Sequence, residues 1–192
     1  MSVVGLRVKS GYAIAVVLDG SQAAPRVVAR HVVDLSDPAV AESRQPYHDG
    51  FFRTEEDARE IARRVAVVKR CARRSVGALV KALERVDPKH HPRAALVVGS
   101  LIDPDTVANP HIRAHAHEGR LFRTVLEDSL RTHEVDCAVV VDKQLSAQAA
   151  KTLGRPPAAI ARTVAAFGKS IGGPWRAEEK AAATVAWLVL PR

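Results

Sequence analysis

Cysteine is nearly missing from this chain: Cys71 and Cys137 stand alone inside apolar runs, so no disulfide framework holds the fold together. A reducing, cytosolic setting is the expectation. Aromatic residues make up only 4% of the chain, which leaves little material for a base-stacking platform. Tyr47, His48, Phe51 and Phe52 are gathered in one stretch and read as a loop pinned to the body of the protein. No apolar run approaches the roughly 20 residues needed to span a bilayer. The first residues also lack a basic segment followed by an apolar stretch and a cleavage site, so no membrane partner is expected. Internal repeats and low-complexity segments are absent as well.

What is present is length enough for one sizeable core and a surplus of positive charge. The 192 residues are expected to form one domain over 1–192. A formal net charge of +8 makes an anionic partner, nucleic acid above all, the natural expectation, because summed surface charge concentrates polyanions.

Val3, Val4, Leu6 and Val8 form a β-rich run, Lys9, Ser10 and Gly11 supply turn chemistry, and residues 12–18 form a second apolar run ending at Asp19 and Gly20. A third strand follows over 26–35, completing an antiparallel meander. Residues 36–52 are irregular, with Pro38, Pro46 and Gly50 as breakers. Thr54 followed by Glu55, Glu56 and Asp57 reads as a helix start, and the helical pattern runs to about Val86 before Asp87 and Pro88. At 100° per residue, Ile61, Val65, Val68, Ala72, Val76, Leu79, Leu83 and Val86 form one stripe. Arg59, Arg63, Arg70, Arg74, Lys81 and Arg85 form the opposite one, a column of cations spaced to follow a phosphate backbone or, equally, a solvated helix face. Residues 93–100 read as a buried strand, Asn109 and Pro110 as the cap and first residue of a helix ending near His133, and residues 135–142 as a fifth strand. Helices are expected over 143–153, 158–167 and 175–190, with a glycine-rich loop at 168–174.

This order resembles the ribonuclease-H-like superfamily: an α/β fold with a five-stranded mixed sheet, a three-strand antiparallel meander followed by alternating helices and strands, and helices on both faces. The opening Gly5-Leu6-Arg7-Val8-Lys9-Ser10-Gly11 is similar to the superfamily's first strand. The second half, with residues 138–141, 160–164 and 180–186, is similar to Holliday-junction resolvases of the RuvC type. The shared opening of actin-like sugar kinases and ATPases is taken as fold kinship, since those proteins close two such domains on a nucleotide.

The resemblance implies a two-metal centre held by carboxylates on the first strand, at the end of the fourth and on the last helix, as in-line phosphodiester hydrolysis requires. On that map Arg7 replaces the first carboxylate, the second falls at Gly99 or Ser100, and the last helix presents Ala177 and Lys180. The expectation is therefore a catalytically degenerate domain that binds nucleic acid or another polyanion. Its anion-binding residues would be Arg7, Lys9 and Lys180 in one pocket and Arg59, Arg63, Arg70, Arg74 and Lys81 on the long helix. An alternative role for Arg7 is a buried ion pair with Glu178 or Glu179.

Two rival functions remain open. An active metal-dependent nuclease would draw on relocated ligands, namely Glu178, Glu179, Asp103 or the histidine face of His111 and His115, and it alone requires a divalent metal; no other cofactor is expected. A non-enzymatic protein-interaction subunit would use the same face for a partner or for a homodimer. Separately, His111, His115 and Glu118 fall at i, i+4 and i+7, a spacing able to ligate zinc or to form an ordinary polar face. Gly168-Lys169-Ser170 imitates the tail of a P-loop, but Thr163 occupies the position of its first glycine and no strand precedes it. Trp175 and Trp187 read as core or interface anchors.

Overall fold

The β-rich start of the chain forms the centre of the sheet. The computed structural model describes residues 1–50 and 53–192. Strands β1 (Val3–Lys9), β2 (Tyr12–Gly20) and β3 (Pro25–Asp34) form the meander, and β4 (Arg93–Val98) and β5 (Cys137–Val141) complete the sheet. The spatial order is β3-β2-β1-β4-β5. β1 runs antiparallel to β2 and parallel to β4, and β4 runs parallel to β5. This mixed five-stranded topology is the one implied by the ribonuclease-H-like resemblance.

Side chains alternate across a strand, so β1 serves two helical layers. Val4, Leu6 and Val8 enter a core with α1 (Ala58–Val86) and α2 (Pro110–Thr132), where Val68, Leu83, Phe122 and Leu126 are buried. Val3 faces the other layer, made by α3 (Asp142–Leu153), α4 (Pro157–Ile171) and α5 (Ala177–Val189). On that side α5 lies directly on β1. Gly5 makes this approach possible, because a Cβ there would strike the carbonyl oxygen of Ala182 and crowd the backbone nitrogen of Ala186. Ala182, Ala183 and Ala186 are fully buried in the contact, and Trp187 anchors its end with an indole N–H donated to the Gln22 carbonyl at 3.0 Å.

Several boundaries differ from the sequence reading. The long helix begins at Ala58, four residues after Thr54; Asp57 is its cap, accepting from the Arg59 N–H, while Thr54 pairs with His48 in an isolated bridge. Ile61 and Val65 are only partly buried and Val86 is exposed, whereas Arg64 is buried. The reason is that the loop before α1 folds back over its first turns, and Arg64 fastens it by donating to the His48 carbonyl at 2.9 Å and the Glu55 carboxylate at 2.7 Å. The stretch 168–174 is not all loop. Gly168-Lys169-Ser170 lies within α4, where Trp175 packs closely against Gly168 and donates to the Val164 carbonyl at 2.8 Å.

Candidate functional site at the strand-end cleft

In open α/β sheets, ligand crevices collect beyond the carboxyl ends of parallel strands. Here β1 and β4 end side by side at a cleft of about 240 Å³ bordered by Arg7, Lys9, Ser10, Gly99, Ser100 and His115. Arg7 shares the α5 side of β1 with Gly5. Its guanidinium donates to the Asp142 carboxylate at 2.8 Å, joining β1 to the first residue of α3. The side chain of Arg7 is 14% exposed and that of Asp142 46%, so the cation is the more buried partner. Asp142 also gains from the positive end of the α3 dipole. The pairing of Arg7 with Glu178 or Glu179 does not occur.

Glu179 is occupied elsewhere. One oxygen accepts from Arg30 of β3 at 2.7 Å, and the other accepts from the Arg176 N–H at 2.8 Å, closing a cap on α5. Burial pushes the Glu179 carboxyl up, but the Arg176 N–H and the Arg30 guanidinium outweigh it and hold the group below its ordinary value. Glu178 is half-buried one position earlier. Asp103 is exposed beyond β4, capping the short turn at Pro104–Thr106 and lying 3.4 Å from Arg120. The relocated candidates are thus spread over the molecule, and among the described residues no three carboxylates come together.

The expected pocket of three cations is divided as well. Arg7 and Lys9 border the strand-end cleft, while Lys180 borders a separate hollow of about 370 Å³ between α3, α4 and α5. Asp142 stands between them, paired with Arg7 and lining the hollow of Lys180.

On α1, Arg59, Arg63, Arg70, Arg74 and Lys81 are all exposed. They fall within one arc and span about 33 Å at 1.5 Å per residue. Arg63 pairs with Glu60 at 2.9 Å and Arg70 lies 3.9 Å from Asp37, contacts too exposed to immobilise either cation. Beside this arc, Lys69, Arg73 and Arg120 border a groove of about 400 Å³ between α1 and α2.

The histidines of α2 are brought to a partner that the sequence did not disclose. His111 and His115 stand one turn apart with their Nε2 atoms 3.3 Å from each other. Glu118, which the i+7 spacing offered as a third ligand, is instead fully buried, and its Oε1 meets His48 Nδ1 at 2.7 Å. Its second oxygen lies 3.6 Å from His115 Nδ1. Burial raises the Glu118 carboxyl to about 7, against the pull of His115 and the Tyr47 N–H. Burial likewise lowers His48 and His115. Tyr47 stacks on His117 with ring centroids 4.9 Å apart, so Tyr47 and His48 are both held against α2; Phe51 and Phe52, the rest of that expected contact, lie outside the described residues.

Three contributors escaped the sequence reading. Asp142 had a usable signal, an acid at the carboxyl end of a parallel strand. Arg64 had one too, a cation interrupting an apolar stripe. His48 had none, since only the folding of its loop onto α2 brings it to His111 and His115.

No protein-family model matches the chain, and no curated protein matches it. Among solved structures it is similar to Thermus thermophilus RuvC, with 15% identity over 98% of this chain and 92% of that one and a TM-score of 0.53. The T. thermophilus RuvC complex with a Holliday junction substrate is similar at 14% identity, 98% and 91% coverage and a TM-score of 0.53. An Aquifex aeolicus member of the Ppx/GppA family shares 13% identity over 78% of this chain and 38% of that one, with a TM-score of 0.36. With the strand order, the meander and near-complete coverage in agreement, the chain has the ribonuclease-H-like fold seen in RuvC.

Proposed function

We propose that this chain is a catalytically degenerate, resolvase-type domain that binds nucleic acid through the basic arc of α1, with Arg7 and Lys9 lining the strand-end cleft. The observation that carries the reading is the ion pair of Arg7 with Asp142 at the mouth of β1. A guanidinium at that position repels the cations that two-metal phosphodiester hydrolysis requires and leaves a nearby carboxylate already occupied. The exposed column Arg59, Arg63, Arg70, Arg74 and Lys81 supplies phosphate contacts that position a duplex without reading its sequence. Kinship of fold with a structure solved on a Holliday junction supports a branched substrate as the first probe.

The test is binding to four-way, duplex and single-stranded DNA across a salt series, with and without magnesium. Expected are submicromolar binding at low salt, a steep decline as salt rises, and no cleavage. The triple variant Arg63→Ala, Arg70→Ala, Arg74→Ala is expected to weaken binding at least tenfold and to flatten the salt slope by about two to three. Absence of binding even at low salt, or magnesium-dependent cleavage by the parent chain, overturns the proposal.

A further inference from the structure

We propose that His48, His111 and His115 bind one transition-metal ion of the zinc class, with Glu118 as the carboxylate behind them. The site differs in its donors from the carboxylate centre implied by the fold, and it does not depend on nucleic-acid binding.

One ring nitrogen from each of the three histidines lies within 4.8 Å of those of the other two, although they come from a loop and from two successive turns of α2. The 3.3 Å between Nε2 of His111 and Nε2 of His115 is the spacing that a tetrahedral ion imposes. Two zinc–nitrogen bonds of about 2.0–2.1 Å, opened to the tetrahedral angle, separate their nitrogens by about 3.3 Å. His48 presents the complementary evidence. Its Nδ1 is engaged by Glu118, while its Nε2 is buried with no hydrogen-bond partner among the described residues. A buried ring nitrogen left in this way is costly unless something ligates it.

Glu118 completes the chemistry. A ligating histidine commonly turns its other nitrogen to a carboxylate, which fixes the tautomer and raises the basicity of the ligand. Glu118 does this for His48 at 2.7 Å and stands 3.6 Å behind Nδ1 of His115. Ionised beside a bound cation, it would offset the charge of an ion held by three imidazoles. The role expected from spacing alone is thereby changed: Glu118 orients ligands, and His48 takes its place among them.

Three imidazoles select zinc, cobalt or nickel over magnesium and calcium, which prefer oxygen. They also leave a fourth position open. His115 belongs both to this triad and to the wall of the cleft of Arg7 and Lys9, so the ion would sit beside that cleft.

The experiment uses the tag-free full chain, stripped with chelator and titrated with zinc by calorimetry and with cobalt by visible absorption. Expected are one zinc per chain at micromolar affinity or tighter, the absorption bands of tetrahedral cobalt, and no competition from millimolar magnesium. His115→Gln, whose half-exposed side chain makes it the safest variant for folding, should weaken binding at least 100-fold, and His48→Gln likewise. Glu118→Gln should weaken it about 10- to 100-fold, as expected of a positioning residue. Circular dichroism of each stripped variant identifies any that fail to fold, and His111→Gln is then read in its place. Absence of stoichiometric binding overturns the proposal. So does binding that survives in folded His115→Gln and His111→Gln, since the metal would then lie elsewhere.

Discussion

The two sides of the central sheet treat buried polarity differently. On the α5 side, helix and strand meet backbone to backbone over Gly5, and the charged groups there are matched: Arg30 with Glu179, Arg7 with Asp142. On the α1/α2 side, the core is built of large side chains, and the polar cluster at its end keeps ring and carboxylate atoms without hydrogen bonds among the described residues, His48 Nε2 and Glu118 Oε2 included. The first side is the more tightly closed, with Arg7 Nη1 its one buried side-chain atom left without a hydrogen-bond partner among the described residues, whereas on the second the two atoms just named lie together in a single cluster. A ligand is therefore to be sought where compensation is missing.

The strongest way to break this comparison is to force the closed side apart. Gly5→Val places a branched side chain against the carbonyl of Ala182 in a contact that cannot relax without lifting α5. The expected cost exceeds about 4 kcal/mol, enough to abolish cooperative unfolding by circular dichroism. A stable, folded variant would mean that α5 is not seated on β1.

A smaller effect is expected from the matched charges. Glu179→Ala strands Arg30 and uncaps α5, at about 3 kcal/mol in a urea titration. Because the folded state holds the Glu179 carboxyl below its ordinary value, its contribution is present above about pH 4.5 and is lost as pH falls through the lowered value. The difference in stability between the parent and Glu179→Gln should therefore shrink on acidification. A difference that grows toward acid would reverse the assignment.

The smallest effect sharpens the account of the cleft. In the Arg7 and Asp142 pair, the more buried member is the arginine, so removing its partner should cost more than removing the arginine itself. Asp142→Ala is expected to lose about 2 kcal/mol and Arg7→Met less than about 1 kcal/mol, read from urea midpoints. Equal losses would indicate that the guanidinium is already well solvated.

Much of the fold was legible because the relevant signals are local. The apolar runs of β1 and β2, the asparagine and proline opening α2 and the stop at Asp87 all act within a few residues. Boundaries failed where a distant segment intervened: Thr54 was drawn into a bridge with His48, and Trp175 packs against Gly168 within α4. The site was legible only along single elements. Arg7 and the spacing of His111 and His115 could be read, but the partners Asp142 and His48 lie far away in the chain and meet them only through tertiary packing.

One guanidinium, that of Arg64, has a consequence larger than its size. Because it grips the main chain at His48 and the acid at Glu55 together, the imidazole of His48 inherits its coordinates from a helix rather than from the irregular segment that carries it.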